Sequence, residues 1–222
     1  MKTKINNLIV RKVGIVTLIL LGMLSIKVSA NNQSQLSQAI SDAVKSIDIV
    51  DAGGTTVASP TVAFSAATFS FNTQDTTGTL GVSAQRIRVS NPTSTATWTA
   101  SIAGSATTAT WTAGANYYDF NDASSGGYVD GAGDADLYGG QLLVAPTGGS
   151  IVGVNSCSTS NVSLGANSSF SEGTTDSITL ASGAAGAATY CRWDVTNIGL
   201  TQRLPASQVS GSYALNLVLS VI

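Results

Sequence analysis

The stretch Tyr213-Ala-Leu-Asn-Leu-Val-Leu-Ser-Val221, near the carboxyl end of the chain, decides the fold class. Its large apolar residues alternate with small or polar ones, which is the period-two pattern of a strand with one buried face. The pattern therefore predicts a strand over 213–221 whose inward row faces a core. The members of this row are Tyr213, Leu215, Leu217, Leu219 and Val221.

Shorter segments with the same alternation precede this strand. Each is rich in Val, Ile, Thr or aromatic residues and is bounded by turn residues. Trp98 and Trp193 alternate with polar residues and are expected to point inwards as core anchors. Many strands without intervening helices predict an all-β fold, a single β-sandwich of Greek-key type over 51–222. The segments are 68–72, 85–90, 96–102, 141–144, 176–180 and 188–195.

Residues 1–30 have a different character. A basic head precedes an apolar run over 13–26 and a small-x-small site at Val28-Ser29-Ala30. This is the layout of a secretory signal peptide, because the apolar run is short for a membrane span; an uncleaved anchor is the alternative. We expect a secreted, extracellular protein. Since no later apolar segment suits a transmembrane span and no lipid-anchor cysteine follows the run, we expect noncovalent attachment to the cell surface.

The segment 31–50 is predicted to be a helical or flexible leader between the signal peptide and the β-sandwich. Over 35–47 the apolar residues recur with helical spacing, and Ser34 or Ser37 could cap the start of a helix. The residues that would share one face of this helix are Leu36, Ile40, Ala43, Val44 and Ile47.

Cleavage after Ala30 would change the charge of the chain. Of the ten basic and twelve acidic residues, the first thirty positions hold five basic and no acidic ones, so 31–222 carries a formal charge of −7. Such a surface repels phosphate backbones, which argues against nucleic acid as a partner. Export also favours a disulfide between the two cysteines, Cys157 and Cys191; two buried free thiols are the alternative.

The chain contains no histidine. This excludes Ser–His and Cys–His nucleophiles and histidine-ligated zinc. A glycosidase would need two carboxyl groups about 5–9.5 Å apart, and the sequence does not give their separation. We therefore expect a protein that is not an enzyme. Arg86 and Arg88 share a strand face and are expected to meet carboxylates across it, in the simplest case as a surface ion pair.

The densest polar cluster lies over 118–136 and holds five of the twelve acidic residues. Calcium prefers several oxygen ligands, and the glycines of this stretch would let a loop curl around the ion. The order of the acids is not that of an EF-hand, so a solvated acidic loop is the alternative to a structural calcium site. The candidate calcium ligands are Asp119, Asn121, Asp122, Asp130, Asp134 and Asp136.

Aromatic residues near this acidic stretch are candidates for exposed contacts with glycans. They are Trp111, Tyr117 and Tyr118. An indole or phenol ring combines a large apolar face with a polar tip, which suits a ligand with both apolar and hydroxyl surfaces. Unlike Trp98 and Trp193, these three residues are not assigned to the core.

Three motifs, taken in order, resemble secreted bacterial cell-surface proteins of the WxL type. They are an F-x-F strand at Phe69-Ser-Phe71, a V-x-N…W-T-x-x-I strand within 87–102, and a P-A…G-x-Y-x-x-x-L-x-L strand within 204–221. Trp98-Thr99-Ala100 stands at the first W-x-L position, and the second W-x-L motif is absent, with Leu215-Asn216-Leu217 in its place. The resemblance implies β-rich domains that associate noncovalently with peptidoglycan, often within larger assemblies.

These observations lead to three functional hypotheses. The first is an exported, non-enzymatic structural or adhesive protein of the cell surface, with cell-wall polysaccharide or other surface proteins as partners. The second is a self-assembling extracellular fibre or surface-layer subunit, because charge-poor strands and the leader 31–50 would permit exchange between copies. The third is a calcium-stabilised glycan-binding module that uses Trp111 and the nearby tyrosines.

Overall fold

The computed structural model describes residues 37–122 and 139–222 and confirms the all-β class. Within these ranges the helical pieces are two 3-10 turns, Pro146–Gly148 and Val154–Ser156, and no helix there has the length and apolar character to cross a membrane. The strands are β1 (Ser46–Val50), β2 (Gln74–Leu80), β3 (Arg86–Asn91), β4 (Trp98–Gly104), β5 (Trp111–Ala113), β6 (Asn116–Tyr118), β7 (Asn121–Asp122), β8 (Gly140–Ala145), β9 (Ser150–Gly153), β10 (Val162–Leu164), β11 (Ser168–Ser169), β12 (Ser177–Gly183), β13 (Cys191–Thr196), β14 (Ile198–Leu204) and β15 (Leu217–Val221).

The described strands form three antiparallel sheets and one hairpin. Sheet I has the order β1-β3-β13-β9, sheet II the order β10-β12-β4-β15, and sheet III the order β11-β8-β14-β2, with β7 also paired to β8. The hairpin consists of β5 and β6. This arrangement does not establish a single Greek-key sandwich, which stays a prediction.

Strands that follow one another in the sequence are divided between sheets I and III. β14 follows β13 after one residue, Asn197, whose φ of 60° is left-handed. β13 pairs with β3 and β9, while β14 pairs with β2 and β8. Gly81, between β2 and β3, has a φ of 80°, and a Cβ there would lie 2.9 Å from the carbonyl oxygen of Val195. Glycine is needed at this position, where the chain passes from sheet III to sheet I, because both the conformation and the close approach disfavour a side chain.

The inward-facing side chains of the three sheets share one hydrophobic core. β3 and β4 bury alternate residues, as their sequences predict. Trp98 of sheet II and Trp193 of sheet I are 2% and 0% exposed, and their ring centroids lie 5.1 Å apart. The indole nitrogen of Trp193 donates a hydrogen bond to the carbonyl oxygen of Ser158 at 2.9 Å. The prediction that both tryptophans are core anchors is confirmed.

The last strand is shorter than predicted but keeps the predicted facing. β15 begins at Leu217 rather than at Tyr213 and pairs with β4. Four members of the predicted inward row, from Leu215 to Val221, pack against the core as partly buried side chains. On the other face, Val218 is 50% exposed. The carboxyl-terminal strand therefore closes one side of the core.

The predicted disulfide between Cys157 and Cys191 is formed, and the two Cα atoms lie 5.7 Å apart. It joins the loop after β9 to the start of β13 across a sequence separation of 34. Closing a loop of this length restricts the unfolded chain and is worth about 3–4 kcal/mol. A disulfide is typical of proteins that fold outside the reducing cytoplasm.

The helix predicted over 35–47 is not formed in the described residues, and this prediction is wrong there. Residues 37–45 have no regular secondary structure, and Ser46–Val50 is strand β1 at the edge of sheet I. Ile47 and Ile49 are β-branched and two positions apart, which suits a strand with one buried face. Sheet I thus begins inside the segment 31–50 that was assigned to a leader.

The strand predicted over 68–72 is also not formed, so this prediction is wrong. Phe69 and Phe71 are 54% and 80% exposed, and their rings meet edge to face at 5.1 Å. The strand in this region is β2, in which Leu80 is the single large apolar residue. Because β2 is rich in Thr and Gly, hydrophobic alternation could not identify it.

Candidate functional site

The hairpin of β5 and β6 carries the three aromatic residues that the sequence singled out. Trp111 and Tyr118 are paired in its register, and their rings stack with centroids 5.9 Å apart and an interplanar angle of 15°. The ring of Phe64 meets that of Trp111 edge-on at 5.2 Å. The ring of Tyr213 lies 4.9 Å from that of Tyr118. These four rings form one aromatic cluster, in geometries that aromatic pairs prefer.

A buried glutamine fixes the orientation of Trp111. Gln202 of β14 is fully buried, and its Oε1 accepts a hydrogen bond from the indole nitrogen of Trp111 at 2.9 Å. The amide Nε2 donates to the carbonyl oxygens of Asp119 and Arg203 at 3.1 Å and 2.9 Å. A buried amide that is satisfied in this way is costly to move, because any other arrangement leaves polar groups without partners. The indole is therefore held rigidly.

A cleft of about 480 Å³ opens beside this cluster. Its sides come from distant parts of the chain, chiefly 62–70 and 204–213 together with the hairpin. Phe69, which is about half exposed, gives the cleft an accessible aromatic face. We call this site the aromatic cleft, and its defining residues are Phe64, Phe69, Trp111, Tyr118, Gln208 and Tyr213.

The aromatic cleft also presents polar groups. The side-chain amide of Gln208 donates to the hydroxyl of Tyr213 at 2.8 Å, and that hydroxyl donates to the carbonyl oxygen of Val209 at 2.7 Å. Gln74 and Thr76 belong to the same lining; the amide of Gln74 donates to the carbonyl oxygen of Thr68 at 2.7 Å, and the hydroxyl of Thr76 donates to that of Gln202 at 3.5 Å. Apolar faces combined with a few positioned hydrogen-bonding groups are the usual composition of a small-ligand site.

An adjoining cleft of about 340 Å³ shares Phe64, Trp111 and Tyr213 with the aromatic cleft. It is lined mainly by apolar side chains and reaches the core residues Ile102 and Leu142. The shared rings therefore connect the accessible aromatic face to the hydrophobic core, so that the site rests on rigid packing.

The three predicted glycan contacts differ in their accessibility. Trp111 is partly buried and lines the aromatic cleft. Tyr118 lines it too but is only 4% exposed, so its ring offers little free face for stacking. Tyr117 is partly buried and does not contribute to the lining of this cleft. Phe69, which sequence reasoning assigned to a strand, is the more accessible ring.

The phenol of Tyr118 gives the fold a sensitivity to alkali. Burial raises its pKa above the ordinary value, and the nearby Tyr213 adds to the effect. In the unfolded chain a tyrosine has a pKa of about 10. Below that pH the neutral phenol contributes its full stabilisation to the fold. As the pH rises above it, the stabilisation is lost, because the unfolded chain ionises before the folded one.

We expect the variant Tyr118→Phe to lose less stability than the wild type between about pH 9 and about pH 11.5, because only in the wild type does Tyr118 ionise in the unfolded chain while the buried phenol of the folded state stays neutral. Urea unfolding of both proteins at the two pH values measures the difference. Equal losses of unfolding free energy in the two proteins would contradict this assignment.

The candidate calcium ligands fall only partly within the described residues. Asp119 and Asn121 are 1% and 2% exposed, and Asp122 is partly buried. The amide of Asn121 donates to the carbonyl oxygen of Thr107 at 2.9 Å. In 37–122 and 139–222 no three His, Cys, Asp or Glu side chains come together as a metal-binding group. The calcium site stays a prediction, because its other candidate ligands lie outside the described residues: Asp130, Asp134 and Asp136.

Arg86 and Arg88 meet a carboxylate across the sheet, as expected. Arg88 donates from Nε and Nη2 to the two oxygens of Asp194 at 2.7 Å and 2.9 Å, and Nη1 of Arg86 lies 3.4 Å from Asp194. This hydrogen-bonded pairing raises the pKa of the Arg88 guanidinium. Asp194 is only 5% exposed, so the group is a buried ion pair rather than the surface pair taken as the simplest case.

The structure defines an all-β, disulfide-linked protein with a cleft lined by aromatic side chains. No protein-family model, curated protein or solved structure matches the chain. The resemblance to WxL-type surface proteins therefore remains a prediction from the sequence motifs.

Proposed function

We propose that this chain is an exported, non-enzymatic surface protein that attaches noncovalently to cell-wall polysaccharide through the aromatic cleft. The observation that carries the proposal is the cleft itself, whose lining combines the half-exposed ring of Phe69 with the hydrogen-bonded Trp111 and the polar Gln208. The signal-peptide pattern of residues 1–30 and the disulfide support the compartment.

The chemistry of the cleft suits a sugar chain. A pyranose ring has apolar C–H faces and hydroxyl edges, so it needs aromatic surfaces and hydrogen-bonding groups side by side. Gln208 and Gln74 supply side-chain amides on the same lining as the rings. A site that only binds needs no titrating acid or base, which agrees with the absence of histidine from the chain.

We expect Phe69→Ala to weaken attachment to isolated cell walls by about tenfold, since truncating an accessible aromatic anchor removes a dominant contact. Tyr190→Ala is the matched control, because the ring of Tyr190 is 63% exposed and does not line the cleft. Co-sedimentation of each purified protein with purified peptidoglycan and its attached polysaccharide gives the bound fraction. Equal binding of both variants and the wild type would contradict a role for the cleft.

A second candidate function, a self-assembling fibre or surface-layer subunit, is favoured by the edge of sheet II. Thr99 and Ile222 exchange backbone hydrogen bonds, so the peptide groups of Leu217 and Leu219 point away from β4. Within the described residues no strand is hydrogen-bonded to this edge of β15, although β1 lies close to β15. Charged residues and proline usually protect an edge strand from pairing with another chain. Residues 212–222 contain neither.

A further inference from the structure

A depression of about 730 Å³ lies on the outward face of sheet I, away from the aromatic cleft. Strand alternation creates it, because every second residue of β3 and of β13 faces outwards. The charged residues of its lining are three arginines and one aspartate. We call it the arginine depression, and its defining residues are Arg86, Arg88, Arg192, Asp194, Asn155 and Asn197.

The strand register sets the spacing of the charges. Arg88 lies directly opposite Asp194. Arg86 is two residues from Arg88 along β3, and Arg192 is two residues from Asp194 along β13 in the opposite direction. At about 3.3 Å per residue, the two outer arginines start about 7 Å on either side of the central pair. The depression therefore presents positive charge over a length that suits an oligomer rather than a single small anion.

The positive charge in this depression exceeds the negative charge. Asp194 is shared between Arg88 and Arg86, so one carboxylate faces two guanidinium groups. Arg192 is exposed, and its side chain has no ion pair or hydrogen bond within the described residues. The acids Asp48 and Asp51 flank Arg88 on the β1 side and are not part of the lining. The excess charge therefore lies towards Arg192.

This local charge contrasts with the rest of the chain. Residues 31–222 contain five basic residues, and three of them line the arginine depression, although the segment as a whole carries a formal charge of −7. A concave surface with an excess of positive charge attracts anionic ligands. Guanidinium groups also match the geometry of carboxylate and phosphate oxygens with two parallel hydrogen bonds.

Two asparagines add neutral hydrogen-bonding groups to the lining. Asn155 and Asn197 have φ values of 52° and 60°, a left-handed conformation that asparagine adopts more readily than most residues other than glycine. Both asparagines are exposed, and within the described residues their side-chain amides make no hydrogen bond. Each amide can donate to one hydroxyl and accept from another. Hydroxyl groups next to an anionic group are what a charged sugar chain offers.

We propose that the arginine depression binds an anionic glycan segment, a polyhydroxylated chain that carries carboxylate or phosphate groups. Arg192 and Arg86 bind the anionic groups, and Asn155 and Asn197 bind hydroxyls. Asp194 holds the guanidinium of Arg88 in place and thereby fixes the floor of the site. This assignment rests on the proposed attachment to wall polysaccharide. It gives the protein a second binding site, which is charged, whereas the aromatic cleft is largely apolar.

The test uses three soluble probes and one pair of variants. Tetragalacturonate supplies carboxylates, a glycerol-phosphate oligomer supplies phosphates, and cellotetraose is the neutral control. Arg192→Gln is compared with Arg203→Gln, which removes the same charge from the exposed pair between Arg203 and Asp75. Titration calorimetry at low and at high salt gives the dissociation constant of each combination.

We expect at least one anionic probe to bind the wild type, to bind Arg192→Gln about tenfold more weakly, and to bind Arg203→Gln unchanged, since a charged hydrogen bond is lost only in the first variant. Salt should weaken the binding because the contact is ionic and accessible. The preferred probe identifies carboxylate or phosphate as the recognised group. The inference is overturned if neither anionic probe binds, if cellotetraose binds equally well, or if both variants behave alike.

These outcomes separate the inference from the proposed function. A wild type that binds an anionic probe but does not sediment with cell walls would refute the wall attachment and leave the arginine depression standing. A wild type that sediments with walls, is weakened by Phe69→Ala and ignores both anionic probes would refute the depression alone.

Discussion

Ending the chain at Gly211 should leave a protein that no longer folds cooperatively. The deletion removes β15 and the side chains from Leu215 to Val221 that pack against the core. Burying one branched apolar side chain is worth about 1.5–3 kcal/mol, and a whole domain is stable by only about 5–15 kcal/mol. Losing four such side chains, even though they are only partly buried, removes most of that margin. The deletion would also expose the paired edge of β4.

Circular dichroism and thermal unfolding of the truncated protein measure this effect, and Val218→Ser is the control. Val218 lies on the same strand but is half exposed on the outward face, so its replacement should cost about 0.5 kcal/mol or less. A truncated protein that keeps the β spectrum of the full chain and melts in one cooperative transition would show that β15 is not part of the folded core.

Replacing Asp194 by alanine should destabilise the fold by about 3–5 kcal/mol. Asp194 is 5% exposed and accepts two hydrogen bonds from Arg88, whose side chain is only 12% exposed. Removing the carboxylate leaves a largely buried guanidinium without its partner, which costs more than the pair itself contributes. Urea unfolding of the variant and the wild type gives the difference in unfolding free energy.

The exposed pair between Arg203 and Asp75 is the matched comparison. Its two side chains are 36% and 43% exposed, so Asp75→Ala should cost about 0–1 kcal/mol. A double replacement of Arg88 and Asp194 by apolar residues should recover part of the loss caused by Asp194→Ala, because no charge is then left unpaired. Equal costs for Asp194→Ala and Asp75→Ala would contradict the view that burial makes the first pair different.

The parts of the fold that the sequence predicts are those with large apolar residues at every second position. β3, β4, β13 and most of β15 have this pattern, and Trp98 and Trp193 lie in the core as expected. β14 was missed because its inward row contains the polar Gln202, which is fully buried by virtue of its hydrogen bonds to distant groups. The hydrogen bonds of a buried amide depend on the tertiary structure, so no local sequence pattern reveals them.

The candidate site, too, could be predicted only in part from the sequence. Trp111 could be singled out from its residue type and neighbourhood, but the cleft around it is assembled from segments that are far apart in the sequence. Phe69 contributes to it from an irregular segment, where neither strand nor helix periodicity applies. The pairing of Arg86 and Arg88 with a carboxylate was predictable from strand alternation, whereas the burial of Asp194 was not.

The measurement that tests the central claim most directly is sedimentation velocity of the purified protein with and without soluble wall polysaccharide. The account predicts one monomeric species that sediments faster when the polysaccharide is added, and more so for the wild type than for Phe69→Ala. A series of oligomers that forms without polysaccharide and does not respond to it would contradict the account and favour assembly through the edge of β15.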